Sequence, residues 1–155
     1  MIVFLLRHAD KLASGDGLTP AGVERAKLLA RMLTESGIRF AFRSDAVRAA
    51  LTLAPLKERL GSQLTIREIP IKQPFGDPEV AEHVNRMVAE VEELPPHSVV
   101  AVVGHTNTVP GIIKGLERGT VVDIGDREFD KLFVLFSSPS GKTLLRLRYG
   151  AVTPA

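Results

Sequence analysis

The stretch Ile2-Val3-Phe4-Leu5-Leu6-Arg7-His8-Ala9-Asp10 decides the reading of this chain. Five apolar residues in a row form a short strand buried on both faces, as in a parallel sheet covered by helices. The run stops abruptly at Arg7-His8. An arginine and a histidine therefore stand at the carboxyl end of a strand, where open α/β sheets bind their ligands. We read His8 as a nucleophile and Arg7 as part of an anion clamp, and the remaining sequence can be searched for what such a site needs.

The 155 residues suit one domain, residues 1–155, with room for a sizeable core. The 20 basic residues are interleaved with 18 acidic ones for a net charge of +2, a balance that does not point to nucleic acid. The chain has no cysteine, which excludes disulfides, thiolate catalysis and thiolate zinc sites. The apolar run at residues 2–6 is too short for a signal peptide, and no stretch has the length of a membrane span. The expected location is the cytoplasm.

Strands and helices then alternate. Thr19-Pro20 opens a helix, with Thr19 as N-cap and Pro20 at its first position. Val23, Ala26, Leu29, Ala30 and Leu33 form its apolar face, with Glu24, Arg25, Lys27, Arg31 and Glu35 mostly opposite and Gly37 as the stop. Residues 38–42 alternate as a second strand and end on Arg43-Ser44-Asp45. Asp45 is the expected N-cap of a helix that turns Val47, Ala50, Leu51 and Ala54 inward, is kinked or shortened by Pro55 and closes at Gly61. A third strand (residues 64–69) and a proline-rich loop precede a helix from about Pro78 to Glu93, with Asp77 as its cap. Ser98-Val99-Val100-Ala101-Val102-Val103 is the most strand-like run, central to the sheet, and it ends on Gly104-His105-Thr106-Asn107. A helix near Val109–Leu116 and a hairpin (residues 131–136 and 143–149) complete an α/β layered sheet with right-handed crossovers.

Three polar clusters thus follow three apolar strands: Arg7-His8, Ser44 to Arg48, and Gly104-His105. In a parallel sheet these points converge on one edge. Two arginines and two histidines there make a phosphate site with a nucleophile. Arginine's planar fork binds phosphate oxygens in pairs and keeps its charge at any working pH. Neutral His8 can attack phosphorus to give a phosphohistidine that water cleaves, while Arg7, Arg48 and protonated His105 stabilise the transferring charge. The arginines fill the role magnesium plays elsewhere, so no metal and no other cofactor is expected.

These motifs resemble the histidine phosphatase superfamily, which includes the cofactor-dependent phosphoglycerate mutases. The resemblance rests on Leu6-Arg7-His8-Ala9, Leu18-Thr19-Pro20-Ala21-Gly22, Ser44 through Arg48 to Thr52, and Gly104-His105, in that order along the chain. The short length is similar to the small phosphohistidine phosphatase-like branch. The resemblance implies a three-layer α/β/α sandwich with a mostly parallel, phosphoglycerate mutase-like sheet and an antiparallel strand near the C-terminus. By position, His8 matches the phosphorylated histidine and Arg7 the arginine before it. Arg48 matches the second phosphate-binding arginine, and His105 the second histidine.

Two departures stand out. Ala9 replaces the glycine common after the histidine, a tolerable change because alanine is also small. The glutamate-bearing insert of mutase-like members is missing from residues 67–79, and Thr106 stands where acid phosphatases carry an aspartate. Glu68 and Asp77 by position, and Asp10 by proximity to His8, are the candidates for the general acid, and the sequence does not choose among them. A weak or absent acid favours phosphohistidine, acyl phosphate or aryl phosphate substrates over sugar or glycerate alkoxides. The expected function is therefore a metal-independent phosphatase acting on a phosphorylated small molecule or phosphoprotein. The alternatives are a phosphate-binding regulatory protein and a mutase-type phosphotransferase. Elsewhere, His83 reads as a solvated helix position and His97 as loop surface. Lys11 reads as an exposed lysine within reach of substrate, and Arg146 and Arg148 as the wet face of an edge strand. Gly15 and Gly17, around Asp16, flank either a phosphate-cradling or simply a flexible loop.

Overall fold

Six strands and four helices build the computed structural model, which describes residues 1–155. In chain order they are β1 (Ile2–Arg7), α1 (Pro20–Leu33), β2 (Phe40–Arg43), α2 (Val47–Leu60), β3 (Thr65–Glu68), α3 (Asp77–Glu92), β4 (Val99–Gly104), α4 (Val109–Glu117), β5 (Lys131–Ser138) and β6 (Gly141–Arg148). The sheet order is β3-β2-β4-β1-β5-β6. The β3/β2, β2/β4 and β4/β1 pairs are parallel, and β5 runs antiparallel to both neighbours. The Val-rich β4 sits inside, as its composition demands, and the two chain-end strands form the expected hairpin.

Alternation along the strands creates two cores. Val3 and Leu5 of β1 and Val100 and Val102 of β4 face Met87, Val91, Ile112 and Ile113 of α3 and α4. Leu6, Ala101 and Val103 point the other way, onto Leu29, Leu33, Leu53 and Leu56 of α1 and α2. Helices therefore cover both faces, giving three layers. Truncating a fully buried side chain such as Leu53 to alanine would cost about 2–5 kcal/mol. None of the helices is long and apolar enough to cross a membrane.

Several sequence expectations need correction. The buried face of α1 is Gly22, Arg25, Ala26, Leu29, Ala30 and Leu33, so Arg25 lies inside and Val23 is 40% exposed. The reason is that Arg25 is fully paired. Its Nε donates to Asp10 Oδ2 at 2.6 Å, Nη1 to the Tyr149 carbonyl at 2.5 Å and Nη2 to the Ala151 carbonyl at 2.7 Å. A paired guanidinium can be buried where a lone one cannot. The inner face of α2 is Ala49, Thr52, Leu53, Leu56 and Leu60, leaving Val47 and Leu51 outside. Apart from Arg48 and Thr52 its first half is apolar on several sides, so contact with α1 sets the phase. Pro55 neither ends nor shortens α2, which runs on to Leu60 and closes at Gly61 with φ +54°. Asp45 does not cap α2. Its carboxylate accepts instead from the Ile71 amide, and Asp16 takes the capping role by accepting from the Val47 amide at 2.9 Å. Asp77 is the first residue of α3 rather than its cap, and α1 ends four residues before Gly37.

His83 is the largest reversal: it is 1% exposed, not solvated. Both its ring nitrogens lack a hydrogen-bond partner. Burial holds the ring neutral, against the opposing pull of Asp45 and the nearby Ile69 and Pro70 carbonyls.

Candidate active site

Strand register brings the polar clusters together. Arg7 is paired with Gly104 and Arg43 with Val103, so the residues after β1, β2 and β4 emerge side by side. The His8 amide donates to the Gly104 carbonyl at 2.9 Å, extending the ladder by one step. The His8 and His105 rings lie 5.2 Å apart, centroid to centroid. Arg48 enters from the first turn of α2. Together with Asp16 and Ser44 these residues line a cleft of about 710 Å³. Lys11 also lines it, while Ile71, Phe75 and Val80 supply an apolar wall.

Each side chain is held by named contacts. His8 Nδ1 lies 2.8 Å from the Ala9 carbonyl. A carbonyl only accepts, so Nδ1 carries the proton and Nε2 keeps its lone pair. The following amide, Ala9, donates to Thr52 Oγ1 at 2.8 Å, which ties the end of β1 to α2. His105 Nε2 meets Ser44 Oγ at 2.7 Å, and Arg48 Nη2 approaches His105 Nδ1 at 3.4 Å. Because a guanidinium only donates, Nδ1 accepts and Nε2–H donates to Ser44. The His105 amide donates to Thr108 Oγ1 at 2.9 Å. That closeness requires Gly104, since a Cβ there would fall 2.6 Å from the same Oγ1.

The electrostatics favour a neutral His8 among cations. Burial, then His105, Arg7 and Arg48, depress His8 to about 3, although the Ala9 carbonyl pulls the other way. Burial, then Arg48 and the other neighbouring positive centres, depress His105 to about 4. The protonated His105 expected beside a transferring phosphoryl group is thus not its resting form. Without a bound anion it is a neutral ring, and an approaching phosphate is the charge that would draw a proton to it. Arg7 Nη1 donates to the carbonyls of Gly125, Asp126 and Glu128 at 3.2, 2.7 and 3.2 Å. Its guanidinium lies 4.0 Å over the Phe129 ring. The Nε atoms of Arg7 and Arg48 are both buried without a partner. Two orphaned donors on cleft-lining arginines are what a tetrahedral oxyanion would satisfy.

The acid candidates lie elsewhere. Asp10 is bound to Arg25, Glu68 pairs with Arg43 at 2.8 Å, and Asp77 starts α3; none of the three lines the cleft. The carboxylates that do are Asp16 and Asp45. Asp16 Oδ1 sits 2.5 Å from Arg48 Nη1. Desolvation raises its carboxyl, but Arg48 and the Val47 amide outweigh that and hold it below the ordinary carboxylate range. The one sequence clue to Asp16 is the Gly15-Asp16-Gly17 loop, which carries no periodic signal. Phe129, beneath Arg7 and 5.9 Å from the His8 ring, had none.

Residues 3–77, just under half the chain, match the family model of the histidine phosphatase superfamily (branch 1). No curated protein matches the sequence. Among solved structures, the alpha-ribazole phosphatase from Shigella flexneri superposes with a TM-score of 0.71 at 18% identity, covering 98% of both chains. The protein histidine phosphatase SixA complexed with tungstate gives 0.71 at 22% identity, covering 96% of this chain and 97% of that one. A mycobacterial glucosyl-3-phosphoglycerate phosphatase gives 0.65 at 15% identity, covering 97% and 99%. The fold is thus phosphoglycerate mutase-like, and the first half of the chain is similar to the histidine phosphatase superfamily. The solved structures of similar fold thus include several phosphatases.

Proposed function

We propose that the protein is a phosphatase that hydrolyses phosphomonoesters or phosphohistidine through a covalent intermediate on His8, without a metal ion. The carrying observation is the His8 tautomer. Its proton is committed to the Ala9 carbonyl, which leaves Nε2 as a free base in a cleft lined by Arg7, Arg48 and His105. In the first step the Nε2 lone pair forms the new N–P bond as the bond from phosphorus to the leaving group breaks, a P–O bond in an ester or acyl phosphate and a P–N bond in phosphohistidine. In the second, water attacks phosphorus, and the N–P bond breaks to return inorganic phosphate and neutral His8. Arg7 and Arg48 carry the charge on the equatorial oxygens, and His105 joins them once the anion has protonated it.

The substrate class follows from Asp16. Held ionised by Arg48, it is a poor proton donor near neutrality, so good leaving groups are favoured. Phosphohistidine, acyl and aryl phosphates meet that requirement. The neighbouring protein histidine phosphatase shows that a chain of this fold can take a protein-borne phosphate, and the apolar wall of Ile71, Phe75 and Val80 offers a surface for a leaving group.

The test is hydrolysis of an aryl phosphate and a protein phosphohistidine in the presence of chelator. Wild type is expected to turn over and to yield an acid-labile phosphoenzyme on rapid quenching. His8→Ala is expected to lose at least about 10³-fold in kcat, as removal of a covalent nucleophile does. Turnover that survives His8→Ala would reject the mechanism. Phosphate binding with no turnover on any substrate would indicate a binding protein.

A further inference from the structure

The residues that fix Arg7 belong to a loop with no catalytic group of its own. Three carbonyls of residues 125–128 accept from one Arg7 nitrogen, and the Phe129 ring lies 4.0 Å beneath the guanidinium. That loop is in turn gripped from the far end of the chain. The Phe129 amide donates to Thr153 Oγ1 at 2.8 Å, and the same hydroxyl donates to Asp130 Oδ1 at 2.8 Å. A Cβ on Gly125 would fall 2.6 Å from the Ala155 carbonyl carbon, so the segment lies directly against the loop. Arg25 anchors its near end through the Tyr149 and Ala151 carbonyls. Arg148 and Lys131 neutralise Glu128, and Arg148 also pairs with Asp130.

We propose that residues 149–155 act as a strap on the phosphate site, with Thr153 a positioning residue that holds the 125–130 loop, and through it Arg7, in place for the phosphoryl group. This rests on the reading of Arg7 as a phosphate ligand. Thr153 never touches the substrate. It satisfies the backbone donor of Phe129, over whose ring the guanidinium lies, and binds the neighbouring buried Asp130. Removing the hydroxyl leaves a part-buried amide without an acceptor, and the loop relaxes towards water to satisfy it. Arg7 keeps its charge but loses its fixed direction. The His8 tautomer and the His105–Ser44 contact do not depend on the loop. The loss should therefore fall on oxyanion affinity and KM more than on the nucleophile.

A double-mutant cycle tests this, with inorganic phosphate as competitive inhibitor and an aryl phosphate as substrate. Thr153→Val keeps the shape without the hydroxyl and is expected to raise the phosphate Ki and KM about tenfold, the scale of one lost buried hydrogen bond. Thr153→Ser should restore both. In an Arg7→Ala background Thr153→Val should add almost nothing, because both act through one guanidinium. Equal Ki in wild type and Thr153→Val, or a full additional penalty in the Arg7→Ala background, would overturn the strap. If Arg7→Ala itself left the phosphate Ki unchanged, the phosphate-site reading would fail instead. Gly125→Ala disturbs the same contact from the loop side. It should reproduce the Ki increase if Thr153→Val proves too unstable to assay, and an unchanged Ki there would equally reject the proposal.

Discussion

Arg25 is the residue whose burial asks most of the rest of the molecule. Its side chain is 1% exposed, and its partner Asp10 is 14% exposed. Removing one member of a buried pair leaves the other charge desolvated and unmatched, a penalty of about 3–5 kcal/mol. Arg25→Met retains the aliphatic stem yet strands the Asp10 carboxylate and the Tyr149 and Ala151 carbonyls. Chemical denaturation should show a loss of that size, and for a chain of this length Tm should drop by roughly 10 °C. Arg25→Lys should recover only part, since one ammonium cannot reproduce a fork that reaches three separate acceptors. A stability loss within about 0.5 kcal/mol, the range of an ordinary surface substitution, would mean that the network is not formed in solution.

At the scale of elements, α2 depends on a residue outside itself. Ala46 offers no side-chain cap, and the Val47 amide finds its acceptor on Asp16, 31 positions earlier. Asp16 also binds Arg48, so one carboxylate both caps the helix and occupies an arginine that we propose binds phosphate. The two roles separate by substitution. Asp16→Ala should cost about 1 kcal/mol of stability by losing the cap. Asp16→Asn keeps the capping oxygen and removes the competing charge, so inorganic phosphate should bind several-fold more tightly, by roughly the worth of one part-exposed ion pair. Weaker phosphate binding by Asp16→Asn, measured calorimetrically, would show that Asp16 orients Arg48 rather than competing for it. The same element marks where the sequence could and could not be read. Strand ends were legible because an apolar run that stops on Arg-His or Gly-His fixes both the strand and the edge it feeds. Arg48 was legible by its place after the second such cluster. The inner face of α2 was not, because alanines leave its periodicity flat. Arg25 and His83 were misread for a related reason: what makes their burial tolerable or necessary lies up to 126 positions away, beyond any local pattern.

Across the whole molecule, the site makes the fold sensitive to acid. Burial in the three-layer sandwich depresses His8 to about 3 and His105 to about 4, and lowers His83 as well. In the unfolded chain all three return to about 6.5. Below that pH the unfolded state binds protons that the native state refuses, so stability falls as pH falls. The contribution is fully present above 6.5 and is lost progressively towards 4 and 3, at up to about 1.4 kcal/mol per pH unit for each histidine. The depressed carboxyls of Asp16, Glu128 and Asp130 act in the same direction at still lower pH, because their folded-state pairing requires the ionised form. Nothing in this set opposes the trend, so Tm should decline steadily from pH 7 to pH 5. His8→Asn and His105→Asn should each flatten that decline, since an amide has no proton to gain. Inorganic phosphate should flatten it too, by making a protonated His105 acceptable in the folded state. A Tm that is level between pH 7 and pH 5 in the wild-type protein would mean that all three rings already titrate near 6.5 in the native state. His8 would then be protonated in much of the resting protein below neutrality, and on the proposed mechanism it would need to lose a proton before it could attack phosphorus.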